Sequence, residues 1–336
     1  MRLKTFNTSM ALVTSALLLS ACGGGSNNSD TSSQDTGPVQ ATRSFAVDES
    51  TLPFDASTTA SATTDRWYGV MPNGAGYRVE VPENWNGTLV MYAHGYRGEG
   101  SGLTVDNAPI RDWLIDHGYA WAASSYSKNY YDVRAGVEDT NELAQKFTSI
   151  AADNGRTLNP PSQTLIIGIS MGGHIAAAAV EQETLSDANH KVYYDGSMPM
   201  CGVTGGTYEF DYLLNFTFAA QHVADMGPNA YPATGFDQAA INSVLWDTVP
   251  AYPTTEGVPT AKGIQLENIV RQLTGGDRPL FEDGFRGFYY NVVMGTGGRD
   301  GTVNGILENN YGSNTGVFYQ LDNDPLRSAE ENAFNN

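Results

Sequence analysis

Three stretches of this chain are apolar without interruption: Thr88 to Ala93 (TLVMYA), Tyr119 to Ala123 (YAWAA) and Thr164 to Ile167 (TLII). A strand covered on one face alternates apolar with polar residues, and one covered on both faces does not. The three stretches therefore predict strands buried on both sides, whereas Gly76 to Val81 (GYRVEV) alternates like a half-exposed strand. Helical segments lie between them. Pro109 to Gly118 ends with His117 in its last turn and Gly118 at the C-cap, and Asp139 to Asn154 runs into Gly155. Strand followed by helix, repeated, predicts an α/β fold with a doubly wound, mostly parallel sheet.

The third apolar strand opens onto Gly168 to Gly172 (GISMG), and a helix carrying the alanines 176–179 follows. A G-x-S-x-G sequence between a buried strand and a small-residue helix is where a nucleophile elbow belongs. The turn forces its serine into a strained backbone conformation, so the positions two before and two after have almost no room for side chains. Both are glycine here. Ser170 is thus the candidate nucleophile. A serine hydroxyl acts at neutral pH only with a general base in hydrogen-bond reach and a group that orients that base.

From about Arg66 onward the chain resembles the α/β-hydrolase family. The elbow carries the resemblance, as does Met91 to Tyr96 (MYAHGY), which closes an earlier buried strand with the His-Gly turn that many members have there. The resemblance implies a serine hydrolase that acts on small-molecule carboxylic esters through an acyl-enzyme at Ser170. It also implies an oxyanion hole made of the backbone amides of Tyr96 and Met171. An esterase is favoured over a peptidase, because nothing here resembles the propeller domain of many oligopeptidases of this fold; a peptidase of that kind is the alternative.

The search for the base comes down to five histidines. His94 sits in the turn after a strand, His117 at a helix end, and His174 one helical turn past Ser170, where packing accounts for it. His190 precedes Lys191 to Tyr194, at the wrong end of a strand. His222 lies in FTFAAQHVA, on a helix outside the sheet. Asp300 is the only downstream carboxylate after a strand-like run, Asn291 to Met294, and is either the acid, with His222 as its possible partner, or an ordinary Asp-Gly turn. In the family the order is nucleophile, acid, then a histidine after the last strand. Nothing after His222 can fill that place. Ser328 to Glu331 is a capping box that starts a helix near the end of the sequence. Exported bacterial members with a segment like Tyr319 to Pro325 continue into two more strands bearing the acid and the histidine. The expectation is therefore a chain lacking its last strands: a piece of an active enzyme, or a non-catalytic lipoprotein or inert gene fragment that keeps the elbow.

Between Gly202 and about Leu321 buried strands no longer alternate with helices. Tyr208 to Phe216, and Gly263 to Leu273 closed by Gly275 and Gly276, read as helices of an inserted cap. Trp246, Tyr252, Phe281, Phe285, Phe288 and Tyr289 can line an acyl site there or simply pack the cap. At the other end, Arg2 and Lys4 precede an apolar run, Met10 to Leu19, that is too short to span a membrane and reads as an export signal. It closes on Leu19 to Cys22, which resembles the bacterial lipobox. That resemblance implies lipid on Cys22 and, from Gly23, the outer membrane of a Gram-negative cell envelope. An ordinary cleaved signal with an incidental cysteine is the alternative. The chain thus divides into a signal (1–21), a polar tether (22–60) spanning roughly 35 Å as a flexible coil, a hydrolase core (61–203), and the cap with the start of the C-terminal part (204–336).

With Cys22 acylated, Cys201 has no disulfide partner within the chain and reads as a small buried hydrophobe. The formal charge of −19 repels phosphate backbones and excludes nucleic acid as a partner. Gly295 to Asp300 imitates a dinucleotide loop but has Asp where its third glycine belongs, and Asp322 with Asp324 falls short of a calcium ligand set. No metal and no cofactor is expected, and the sequence does not give the oligomeric state.

Overall fold

The computed structural model describes residues 44–98, 100–226, 237–251, 254–295, 313–321 and 328–335. Cys22, Tyr252, Asp300, Asp322 and Asp324 fall outside them. The strands are β1 (Ala46–Val47), β2 (Thr64–Val70), β3 (Gly76–Pro82), β4 (Thr88–Ala93), β5 (Gly102–Leu103), β6 (Ala120–Ser124), β7 (Gln163–Ile169), β8 (Gly196–Met200), β9 (Trp246–Thr248) and β10 (Val258–Pro259). The helices are α1 (Arg111–Asp116), α2 (Val133–Asp153), α3 (Met171–Ala178), α4 (Gln182–Asp187), α5 (Thr207–Val223), α6 (Gln238–Leu245), α7 (Ala261–Leu273), α8 (Phe281–Phe288) and α9 (Ser328–Asn335).

Six strands form the main sheet in the order β2-β3-β6-β4-β7-β8. The β2-β3 and β3-β6 pairs are antiparallel, and β6, β4, β7 and β8 run parallel. Strand β4 has every residue buried because it uses both faces. Leu89, Met91 and Ala93 pack with Leu143, Phe147, Ile175 and Ala176 of α2 and α3. Val90 and Tyr92 pack with Leu114 and Ile115 of α1 on the opposite face. This is the doubly wound, mostly parallel sheet. Helix α2 starts at Val133, six residues ahead of the sequence expectation, because the Asp132 carboxylate accepts the Ala135 N–H as an N-cap.

Four expectations need correction. The tether does not reach residue 60: β1 pairs with β5, Leu52 is buried, and Phe54 lies 5.7 Å from the Trp121 ring. The Arg78 guanidinium donates to the carbonyls of Thr51, Leu52 and Pro53, so this polar-looking segment is paired. The strand expected near Lys191 to Tyr194 forms later, as β8. Cys201 is exposed, because β8 has one neighbour among the described strands and its end is uncovered. The strand-like run before Asp300 is a π-helical turn, Tyr289–Val293, packed on α5 through the Thr217 hydroxyl, which donates to the Val293 carbonyl at 2.8 Å.

Helices α5 to α8 surround a core of their own. Trp246, Phe281, Phe285 and Tyr289 are buried in it, with Trp246 and Tyr289 meeting edge to face at 5.1 Å. The aromatic residues offered as an acyl-site lining therefore pack the helical unit from within, and Phe288 lies against Phe216 at 4.9 Å in the same cluster.

Candidate active site

Strand β7 stops at Ile169 and α3 starts at Met171, which leaves Ser170 alone in the turn at φ 59° and ψ −123°. Such a conformation costs a residue with a β-carbon about 1–3 kcal/mol and persists only where the surroundings over-determine it. Here they do. A methyl group built on Gly168 would lie 1.9 Å from the Gly172 carbonyl oxygen, and one on Gly172 would lie 2.0 Å from that of Ala93. One on Gly173 would lie 2.6 Å from that of Met200. The Ser170 N–H donates to the same Met200 carbonyl at 3.0 Å. The turn is wedged between the ends of β4 and β8, and only glycine leaves the backbones room to meet. A mostly parallel sheet with this elbow at the end of a central strand fits a fold of the α/β-hydrolase type.

Tyr126, Ser170 and Cys201, each just past the C-terminal end of β6, β7 or β8, all have positive φ. Non-glycine residues in that region gather at functional edges of a sheet.

Gly95 lies beside the nucleophile: a methyl on it would sit 3.4 Å from Cβ and 3.9 Å from Oγ of Ser170. His94 fixes the peptide joining Gly95 to Tyr96. Its Nδ1 is 2.7 Å from the Gly95 carbonyl oxygen, and its Nε2 is 3.1 Å from that of Ser125. The ring stacks on Tyr126 at 4.0 Å, and the Tyr126 hydroxyl donates to the His94 carbonyl at 2.9 Å. Burial pushes the imidazole pKa down to about 4, so at pH 7 the ring is neutral and carries one N–H. Both partners are carbonyl oxygens, which only accept, so the one N–H of the neutral ring donates to one of them at a time. In a trans peptide the carbonyl and the next N–H point in opposite directions, so a bond to the Gly95 oxygen also sets the direction of the Tyr96 N–H. Met171 opens α3, and its N–H has no carbonyl one turn back to bond within the helix.

The histidines are placed as follows. The His174 Nδ1 is 3.1 Å from the Tyr131 hydroxyl, and the Tyr131 ring meets Phe210 of α5 edge to face at 5.2 Å. His117 stacks on Trp113 at 4.2 Å. His190 Nδ1 lies 3.3 Å from Glu138. His222 is on the exposed face of α5, its ring 4.4 Å from that of Phe334. Among the described residues, none of the five is within hydrogen-bond reach of the Ser170 hydroxyl. Nor do the described residues gather three His, Cys, Asp or Glu side chains around a point that suits a metal ion.

Ser125, Tyr126, Asn129 and Tyr131, which frame the elbow, carried no sequence signal of their own. Only their position just after a fully buried strand, on the edge where the elbow also opens, marks them out.

No family model matches the chain. Over 139 residues it is 27% identical to an o-phthalyl amidase from Xanthobacter agilis, taking in 40% of this chain and 27% of the amidase. Among solved structures, an inhibited esterase B from Lactobacillus rhamnosis is 17% identical at a TM-score of 0.33, covering 55% of this chain and 62% of that one. A mutant of the rice cell wall degrading esterase LipA from Xanthomonas oryzae is 18% identical at a TM-score of 0.30, covering 47% and 44%. The chain spans 27% of the amidase, 62% of the esterase B chain and 44% of the LipA chain.

Proposed function

We propose that this chain is built for acyl transfer at Ser170, as a serine hydrolase of carboxylic esters. The backbone of Ser170 carries the reading: a serine in a strained strand-to-helix turn, wedged by three glycines, with Gly95 beside it. In this reading the Ser170 hydroxyl attacks the ester carbonyl carbon. The developing oxyanion takes hydrogen bonds from the Tyr96 and Met171 amides, the alcohol leaves with the proton of the Ser170 hydroxyl, and water then cleaves the acyl-enzyme, releasing the acid and restoring that hydroxyl. Preorganised donors of this kind are worth about 3–4 kcal/mol each at the transition state. Similarity to proteins named esterases and to one named an amidase supports the class of reaction.

A second reading is a non-catalytic lipoprotein that keeps the elbow. What favours it is that no described histidine approaches the Ser170 hydroxyl. A fluorophosphonate probe separates the two readings. Labelling of wild type that Ser170→Ala abolishes supports the hydrolase, labelling that survives the substitution moves the nucleophile elsewhere, and no labelling of either supports the second reading.

We further propose that Cys22 is lipid-modified and anchors the chain in the cell envelope, on the strength of Leu19 to Cys22 after the apolar run. Metabolic labelling with a fatty-acid analogue tests this; an unlabelled mature protein that begins elsewhere would refute it.

A further inference from the structure

Behind the Gly95–Tyr96 peptide the chain continues through Gly98, Gly100 and Gly102, a glycine at every second position. Glycine loses more conformational freedom on ordering than any other residue. Such a loop does not hold one shape unless other groups impose it. Two sets of contacts do so, from opposite sides.

On one side is the segment that follows β6. The Asn129 side-chain amide, buried at 4% exposure, donates to the carbonyls of Gly100 at 2.7 Å and Gly102 at 2.8 Å. The Tyr130 N–H donates to the Gly98 carbonyl at 3.1 Å. On the other side is the arm at the start of the described chain. The Ala46 N–H donates to the Ser101 carbonyl at 3.0 Å, and Ala46 and Val47 pair in parallel with Gly102 and Leu103. Phe45 meets the Tyr130 ring edge to face at 6.2 Å, so the arm touches the opposing segment as well as the loop. The arm is itself held by buried Leu52 and by the three carbonyls that Arg78 pairs.

We infer that Phe45 to Val47 and Asn129 clamp the glycine loop and so hold the Tyr96 amide where it meets the oxyanion that forms on the ester carbonyl when Ser170 attacks. Asn129 and the arm touch no reacting atom; they are positioning elements. The inference rests on the hydrolase reading for its catalytic consequence and on the loop contacts alone for its structural one.

Two variants test it. Ala46→Pro removes the N–H that bonds Ser101, and Asn129→Ala removes both amide bonds. In each, amide hydrogen exchange from Gly98 to Leu103 should quicken at least ten-fold, while exchange in α2 stays as in wild type. The maximal rate of Ser170 phosphonylation should fall at least ten-fold, with the concentration for half-maximal rate changed less than two-fold. A loop that loosens with no loss of phosphonylation rate overturns the positioning role, and a loop that exchanges equally fast in all three proteins overturns the clamp. Wild type that takes no probe counts against the hydrolase reading instead. In that case slow loop exchange in wild type and fast exchange in both variants still upholds the clamp.

Discussion

Gly172 and Ala93 meet backbone to backbone: a β-carbon on Gly172 would lie 2.0 Å from the Ala93 carbonyl oxygen, so the first turn of α3 rests directly on the end of β4. The contact brings the elbow next to the His94-Gly95 turn. Ser170 and the Tyr96 amide are placed by the same close approach.

Gly172→Ala should therefore destabilise the fold by about 3 kcal/mol or more, since neither backbone can yield to the added carbon. Gly284, inside α8 with nothing within 4 Å of its missing β-carbon, is the contrast. Gly284→Ala should stabilise by about 0.5–1 kcal/mol through helix propensity. Urea unfolding of the two variants checks the pair, and equal effects would mean that the α3–β4 contact relaxes freely.

Ser170 exchanges stability for geometry. At φ 59° glycine is comfortable and serine is not. Ser170→Gly should lose all phosphonate labelling while gaining about 1 kcal/mol of stability. A thermal melt no higher than wild type would show that the turn is unstrained.

His94 makes stability depend on pH. Its folded pKa of about 4 lies below the unfolded value of 6.5, so between these values the unfolded chain binds more protons and stability falls as pH drops. Below pH 4 the slope from this group vanishes. The full loss is about 3 kcal/mol at 1.36 kcal/mol per pKa unit. Comparing urea midpoints at pH 7 and pH 4.5 for wild type and His94→Asn isolates it: the variant should show the smaller decline.

As these residues are arranged, the chain should turn over slowly. Oxyanion donors and a binding surface without a triad retain about 10³ to 10⁴ over water, whereas losing the histidine costs about 10⁶. Hydrolysis of an activated aryl ester by the chain should be barely above background. A rate above roughly 1 per second would require one of the five histidines to reach Ser170, most simply His222 by a movement of α5.

The sequence by itself determined the elements whose cause is local. Uninterrupted apolar runs reported β4, β6 and β7, because burial on both faces is written into consecutive residues. Gly168 and Gly172 reported the elbow, because the turn cannot close around larger side chains. Tertiary structure decided what depends on residues far apart in the chain. Ser44 to Ala60 has the composition of a tether, yet it is ordered by Leu52, Phe54 and the distant Arg78. The helical unit's aromatic residues face one another because α5 to α8 bring them together, and periodicity alone does not say toward what a ring points. The Tyr96 amide sits beside His94, Ser125 and Tyr126, which lie just past the ends of two strands that only pairing in the sheet makes neighbours.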